Sequence, residues 1–138
     1  MHSVVEKDVE VRLAVSRENS VPVPARLVYR TDDPYAVHIT FHLGSAAPVT
    51  WTFARDLLME GAFRASGEGD VRVFPGKEGG RAVVCVLLSS PDGSALLRVR
   101  SGEVGEWLER TLRIVPPGRE RAWLGLERGL RELLASGA

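Results

Sequence analysis

The chain has 138 residues, a formal net charge of zero and one cysteine, Cys85. A single domain spanning residues 1–138 can bury roughly 68–70% of its unfolded surface, so a core needs neither metal nor disulfide, and a lone cysteine excludes an internal disulfide or a multi-cysteine metal site. A duplex-binding module carries a basic excess to replace phosphate counterions, and the balanced charge disfavours nucleic acid.

The amino terminus places Glu6, Lys7 and Asp8 where a signal peptide needs its apolar stretch. The longest apolar run, Ala82 to Leu88, is far short of the ~20 residues of a membrane span. The expectation is no membrane insertion and a reducing cytoplasm.

Val9, Val11, Leu13 and Val15 alternate with Glu10, Arg12, Ala14 and Ser16, the period of a strand with one wet face. Arg17 to Pro24 reads as a connection, and Ala25 to Arg30 as a second strand. Thr31-Asp32-Asp33-Pro34 supplies turn chemistry. A third strand then sets Tyr35, Val37, Ile39, Phe41 and Leu43 on one face and Ala36, His38, Thr40 and His42 on the other.

Gly44 to Pro48 turns the chain into Val49, Trp51 and Phe53, which alternate with Thr50 and Thr52 before the period becomes helical. Leu57 and Leu58 face this short helix inward, and Gly61 is placed to end it in a left-handed cap. After a Gly-rich loop, Val71 to Phe74 forms a fifth strand stopped by Pro75-Gly76. In the sixth strand, Arg81 to Ser89, both alternations are apolar, so both faces need covering by helices or by another subunit. Ser90-Pro91-Asp92-Gly93 turns into the last strand, Ala95 to Arg100.

Two helices close the chain. Val104, Leu108, Thr111, Leu112 and Val115 share one stripe ended by Pro116-Pro117-Gly118. Trp123, Leu126, Leu130, Leu133 and Leu134 share another, which packing must hold because Gly125 and Gly129 each cost about 1 kcal/mol against Ala. The fold class is α+β: about seven strands in a mainly antiparallel sheet or open barrel, a short central helix and two C-terminal helices.

The chemistry-bearing residues do not assemble a catalytic, cofactor or metal site. His38 and His42 project from one strand face, but four strand residues span about 13 Å, too far to share an ion at the ~2.0–2.1 Å that zinc demands. Asp32 and Asp33 sit in a turn where Asp is expected, Gly67-Glu68-Gly69 lacks the remainder of a phosphate loop, and Cys85 lies in the most apolar strand with no adjacent base. Two surfaces are left for binding. The helical step points Met59 outward between Arg55, Asp56 and Glu60. On the fifth strand, inward Val71 and Val73 leave Arg72 and Phe74 outward, unless Phe74 is covered by a helix or a neighbour.

The chain resembles the SsgA-like proteins, sporulation-linked cell-division regulators of actinomycetes. The match runs from Val21-Pro22-Val23-Pro24 through Asp33-Pro34-Tyr35-Ala36-Val37 and Trp51-Thr52-Phe53-Ala54-Arg55-Asp56-Leu57-Leu58. It continues through Gly69-Asp70-Val71-Arg72-Val73, Val83-Val84-Cys85, Leu88-Ser89-Ser90-Pro91 and Val115-Pro116-Pro117-Gly118. The resemblance implies a non-enzymatic regulator without cofactor, concentrated at division septa. It would bind and position the tubulin-like GTPase FtsZ, support its polymerisation and work with an SsgA-type partner. It also implies a homotrimer of Whirly-like subunits, which adds a neighbouring subunit as a cover for the sixth strand through Val84, Val86 and Leu88. The alternative from another class is a single-stranded nucleic-acid-binding module of that fold, using Arg72 and Phe74.

Overall fold

The alternating segments pair into one antiparallel sheet. The computed structural model describes residues 3–16, 19–41 and 46–136. Its elements are β1 (Val4–Ala14), β2 (Ser20–Arg30), β3 (Ala36–Phe41), β4 (Val49–Ala54), α1 (Arg55–Gly61), β5 (Val71–Glu78), β6 (Arg81–Ser90), β7 (Gly93–Arg100), α2 (Ser101–Ile114) and α3 (Glu120–Ser136). The strand order is β4-β3-β2-β1-β7-β6-β5. Two meanders, β1–β4 and β5–β7, therefore meet where β1 pairs β7 at Arg12↔Arg98 and Leu13↔Leu97. The sheet stays open, with β4 and β5 at its edges.

One sheet face carries the core. Val9 and Val11, Leu27 and Tyr29, Val37 and Ile39, and Val84 and Val86 all point to it and are buried. Burying side chains of this size contributes about 1.5–3 kcal/mol each. The helix α2 lies over β1, β6 and β7 with Val104, Trp107, Leu108 and Thr111 inward. The Trp107 indole N–H donates to the Val5 carbonyl at 3.0 Å, which ties the helix to the start of β1. Trp107 is fully buried and falls on the stripe that Val104, Leu108 and Thr111 define.

Several sequence expectations change. β1 begins at Val4 rather than Val9, because Glu6 and Asp8 occupy the wet face of an alternation that already includes buried Val5. Residues 20–24 extend β2 despite Pro22 and Pro24. Among the described residues β2 pairs there with β1 alone, its pairing with β3 beginning at Ala25↔Phe41, so neither proline takes a donor from a described β2–β3 ladder position. Pro75 likewise does not stop β5, which is an edge strand. Gly76 there lies against Cys85, whose Sγ would stand 2.8 Å from an added Cβ. Leu43 and His42 lie outside the described residues.

Gly61 is not a left-handed cap. It is the last residue of α1, the following Ala62 stays right-handed at φ −68°, and an added Cβ would overlap the Val73 side chain. The glycine lets α1 lie directly on β5.

β6 is covered on both sides by its own chain. Val84, Val86 and Leu88 belong to the core beneath α2 and are 0%, 1% and 5% exposed, so they are not available as a subunit interface. On the opposite face Val83 and Cys85 are also buried, with Phe74 and Arg98 at the register positions flanking Cys85. The stripe on α3 is the converse case. Trp123 packs against the core, but Leu126, Leu130, Leu133 and Leu134 are all exposed.

Candidate functional site

The helix α1 starts where β4 ends. Ala54 is still extended, and the Arg55 N–H donates to the Tyr35 carbonyl at 2.7 Å, which fixes where the chain turns. Asp56 in the first turn complements the helix dipole.

Arg55 is the largest departure from the sequence reading, which put it on the outward side. It is 0% exposed. One terminal nitrogen donates to Glu120 Oε1 at 2.9 Å, the other donates to the Thr111 carbonyl at 3.3 Å, and Cζ lies 4.8 Å from the Tyr29 ring centroid. A buried guanidinium requires such partners, because an unpaired one carries the full desolvation penalty. Burial raises the Tyr29 phenol to about 12, against the opposing pull of Arg55, and its O–H donates to the Pro34 carbonyl at 2.9 Å. Burial also works against ionised Glu120, yet backbone hydrogen bonds and Arg55 outweigh it and hold the carboxyl below its ordinary value. Arg55 thus locks α1, α2 and the start of α3 together.

The outward side of α1 is what remains for a partner. Asp56 and Glu60 are exposed, while Met59 is half-buried and packs against the core. Just past the helix, Phe63 is 83% exposed, an aromatic that periodicity did not single out. The N–H groups of Phe63 and Arg64 both donate to the Glu60 carbonyl at 3.0 Å, a tight turn that carries the ring outward. Arg64 and Glu60 also pair through their side chains at 3.8 Å. The sequence signal for Phe63 was an aromatic placed two residues beyond the helix end, off its inward stripe.

The sheet face opposite the helices is mixed. Arg72 is exposed and Phe74 is half-buried near residues 65–68. His38 shares a 2.8 Å hydrogen bond with Thr52 and lies 3.7 Å from the Asp33 carboxylate, an ordinary polar-face arrangement. A cleft of about 770 Å³ includes Arg12, Arg98, Glu10 and Glu78 in its walls, with Arg98 paired to Glu78 at 3.3 Å and Arg12 to Glu10 at 3.8 Å. Burial pushes the Cys85 thiol up, against the lowering effect of Arg98, which leaves it a poor nucleophile. Among the described residues no group of three His, Cys, Asp or Glu side chains could hold a metal ion, and no helix is long and apolar enough to cross a membrane.

Residues 23–120 match the family model of the Streptomyces sporulation and cell division protein SsgA. The chain is 50% identical over 135 residues to the sporulation-specific cell division protein SsgB of Streptomyces coelicolor, covering 98% of both chains. It is 41% identical over 128 residues to SsgB of Thermobifida fusca, covering 93% of each. The solved S. coelicolor SsgB structure superposes with a TM-score of 0.85 at 51% identity over 89% of this chain and 97% of that one. The T. fusca SsgA-like protein superposes at 0.84 with 39% identity, covering 94% and 95%. The chain therefore belongs to the SsgA-like family of sporulation and cell-division proteins, and its work lies in sporulation-specific cell division.

Proposed function

We propose that this chain is a non-enzymatic cytoplasmic regulator that binds FtsZ, positions it at septum sites and supports its polymerisation. The reading needs no cofactor, and an SsgA-type protein is its second partner. The observation that carries it is the near full-length likeness to SsgB of S. coelicolor, with FtsZ entering through the resemblance to SsgA-like regulators. A trimer suits such a task, because several copies of one modest contact hold a polymer far more tightly than one copy when geometry lets them engage together.

The contact belongs to the outward side of α1 and the turn after it. Phe63 is exposed beside the carboxylates of Asp56 and Glu60, and large aromatics are enriched at interfaces relative to the rest of a protein surface. Val84, Val86 and Leu88 take no part, since the chain's own core holds them. The single-stranded nucleic-acid alternative has less support: a stacking platform needs its aromatic displayed, and Phe74 is half-buried.

The test is FtsZ polymerisation followed by light scattering after GTP addition. Earlier onset or a higher plateau in the presence of the chain supports the reading. Traces that overlay those with a control protein overturn the claim of support for polymerisation.

A further inference from the structure

We propose that the cleft lined by Arg12, Arg81, Arg98 and Arg100 binds an extended acidic peptide segment of a partner protein, with Arg81 and Arg100 taking carboxylates two residues apart. The site is separate from the FtsZ contact at α1 and is tested without it.

The cleft arises from the strand order. β1 and β7 pair only at Arg12↔Arg98 and Leu13↔Leu97, so the two strands part before Glu10 can meet Arg100. Buried Val11, Leu97 and Val99 turn toward the core, and strand alternation therefore sets Glu10, Arg12, Arg98 and Arg100 on the other face. The start of β2 and the end of β5 close one side. There the Ser20 hydroxyl donates to Glu78 Oε2 at 3.4 Å, and Arg98 donates to the same oxygen at 3.3 Å. The cleft holds about 770 Å³, within the ~300–1,000 Å³ typical of ligand sites.

Its charges work against the sheet that carries them. Arg12 and Arg98 are direct cross-strand partners, and like charges set opposite one another destabilise a ladder. Glu10 at 3.8 Å from Arg12 and Glu78 at 3.3 Å from Arg98 offset that pair. Arg81 and Arg100 have no such offset. Val83 stands opposite Arg100, which makes Arg81 the diagonal neighbour of Arg100. Both arginines are exposed, and neither forms an ion pair among the described residues. Local choices that oppose the fold concentrate at functional sites, and a bound anion would offset this one.

Spacing and composition select the anion. The guanidinium fork suits carboxylate and phosphate alike. Diagonal neighbours in a ladder lie about 7–8 Å apart, and alternate residues of an extended chain project to one side about 6.7 Å apart. Two acidic residues separated by one other therefore match Arg81 and Arg100. The walls also carry Glu10, Glu78 and Glu103. These carboxylates repel a densely charged phosphate chain but accept hydrogen bonds from peptide N–H groups. No aromatic side chain is among the lining residues, so a nucleic-acid base has nothing to stack on.

The experiment is fluorescence anisotropy of a labelled peptide alternating aspartate with serine, in dilute salt. It is titrated with the wild-type chain, Arg81→Gln/Arg100→Gln and Arg72→Gln/Arg121→Gln, the last removing the same charge from exposed positions outside the cleft. The expected result is saturable binding by the wild type and by the control variant, and binding roughly tenfold weaker in the cleft variant. A peptide of the same composition with its aspartates in one block should bind less tightly than the alternating one. Equal losses in the two double variants overturn the cleft as the site, and no saturable binding by the wild type overturns the proposal outright. Inorganic pyrophosphate that binds more tightly than the peptide, and is lost in the cleft variant, assigns the arginines to a phosphate ligand and overturns the peptide. Urea denaturation supplies a second readout. The cleft variant should be at least as stable as the wild type, since it removes repulsion; a clear loss of stability would show that the two arginines serve the fold and would overturn the site.

Discussion

The Arg55 guanidinium and the Glu120 carboxylate meet at 2.9 Å with side chains only 1% and 6% exposed, joining the first residue of α1 to the first residue of α3 across 65 positions of sequence. Removing one partner of such a pair strands the other charge. Arg55→Met is expected to destabilise the fold by about 3–5 kcal/mol. Arg55→Met/Glu120→Leu should recover much of that loss, because neither charge is then left unpaired. Urea denaturation of the three proteins is the check, and an Arg55→Met variant as stable as wild type would contradict the pairing.

The same pair sets a pH dependence. The folded-state carboxyl of Glu120 lies below its ordinary value of 4.5. Its contribution is therefore fully present above that value and is lost as pH falls through the lower folded value. The stability difference between wild type and Glu120→Gln should hold from neutral pH to about 5 and shrink on further acidification. A difference that is constant down to pH ~3 would show that the carboxylate carries no such linkage.

Gly61→Ala tests the close approach of α1 to β5. Alanine is the better helix former by about 1 kcal/mol, but its Cβ would overlap the Val73 side chain, and overpacking typically costs about 1–3 kcal/mol. The expected outcome is net destabilisation by up to about 2 kcal/mol. Val73→Ala opens the space, so the double variant should be more stable than the sum of the two single effects by about 0.5–3 kcal/mol. Thermal or chemical unfolding of the cycle decides it; strict additivity would mean that the two residues do not press on each other.

Phe63 separates binding from folding. An aromatic that is 83% exposed adds little to the fold, and Phe63→Ala should change stability by less than about 0.5 kcal/mol. As a hot spot its loss should weaken FtsZ binding by about 2 kcal/mol, roughly 30-fold in Kd. Fluorescence anisotropy against labelled FtsZ measures this, and unchanged affinity in the folded variant would move the contact away from the turn after α1.

The sheet was legible because alternation is a local property. Val37, Ile39 and Phe41 are buried while His38 and Thr40 between them are only partly so, and the doubly apolar pattern of Val83 to Leu88 does mark a strand covered on both faces. The prolines misled because their cost depends on what lies beside a strand: Pro75 sits on the edge strand β5, and Pro22 and Pro24 lie outside the described β2–β3 pairing, neither of which a local pattern reveals. Arg55 misled for a related reason. A charged residue opening a helix reads as surface, and the partner that allows its burial lies at the start of another helix. The α3 stripe shows the limit from the other direction, since periodicity identifies an apolar face without saying whether the same chain covers it.

The most direct test of the proposed role is co-sedimentation with FtsZ assembled in GTP. The wild-type chain should pellet with polymer in saturable amounts, and Phe63→Ala should remain largely in the supernatant while keeping its native circular dichroism. Recovery of the wild-type chain in the pellet at no more than the level of an unrelated control protein would contradict FtsZ binding itself.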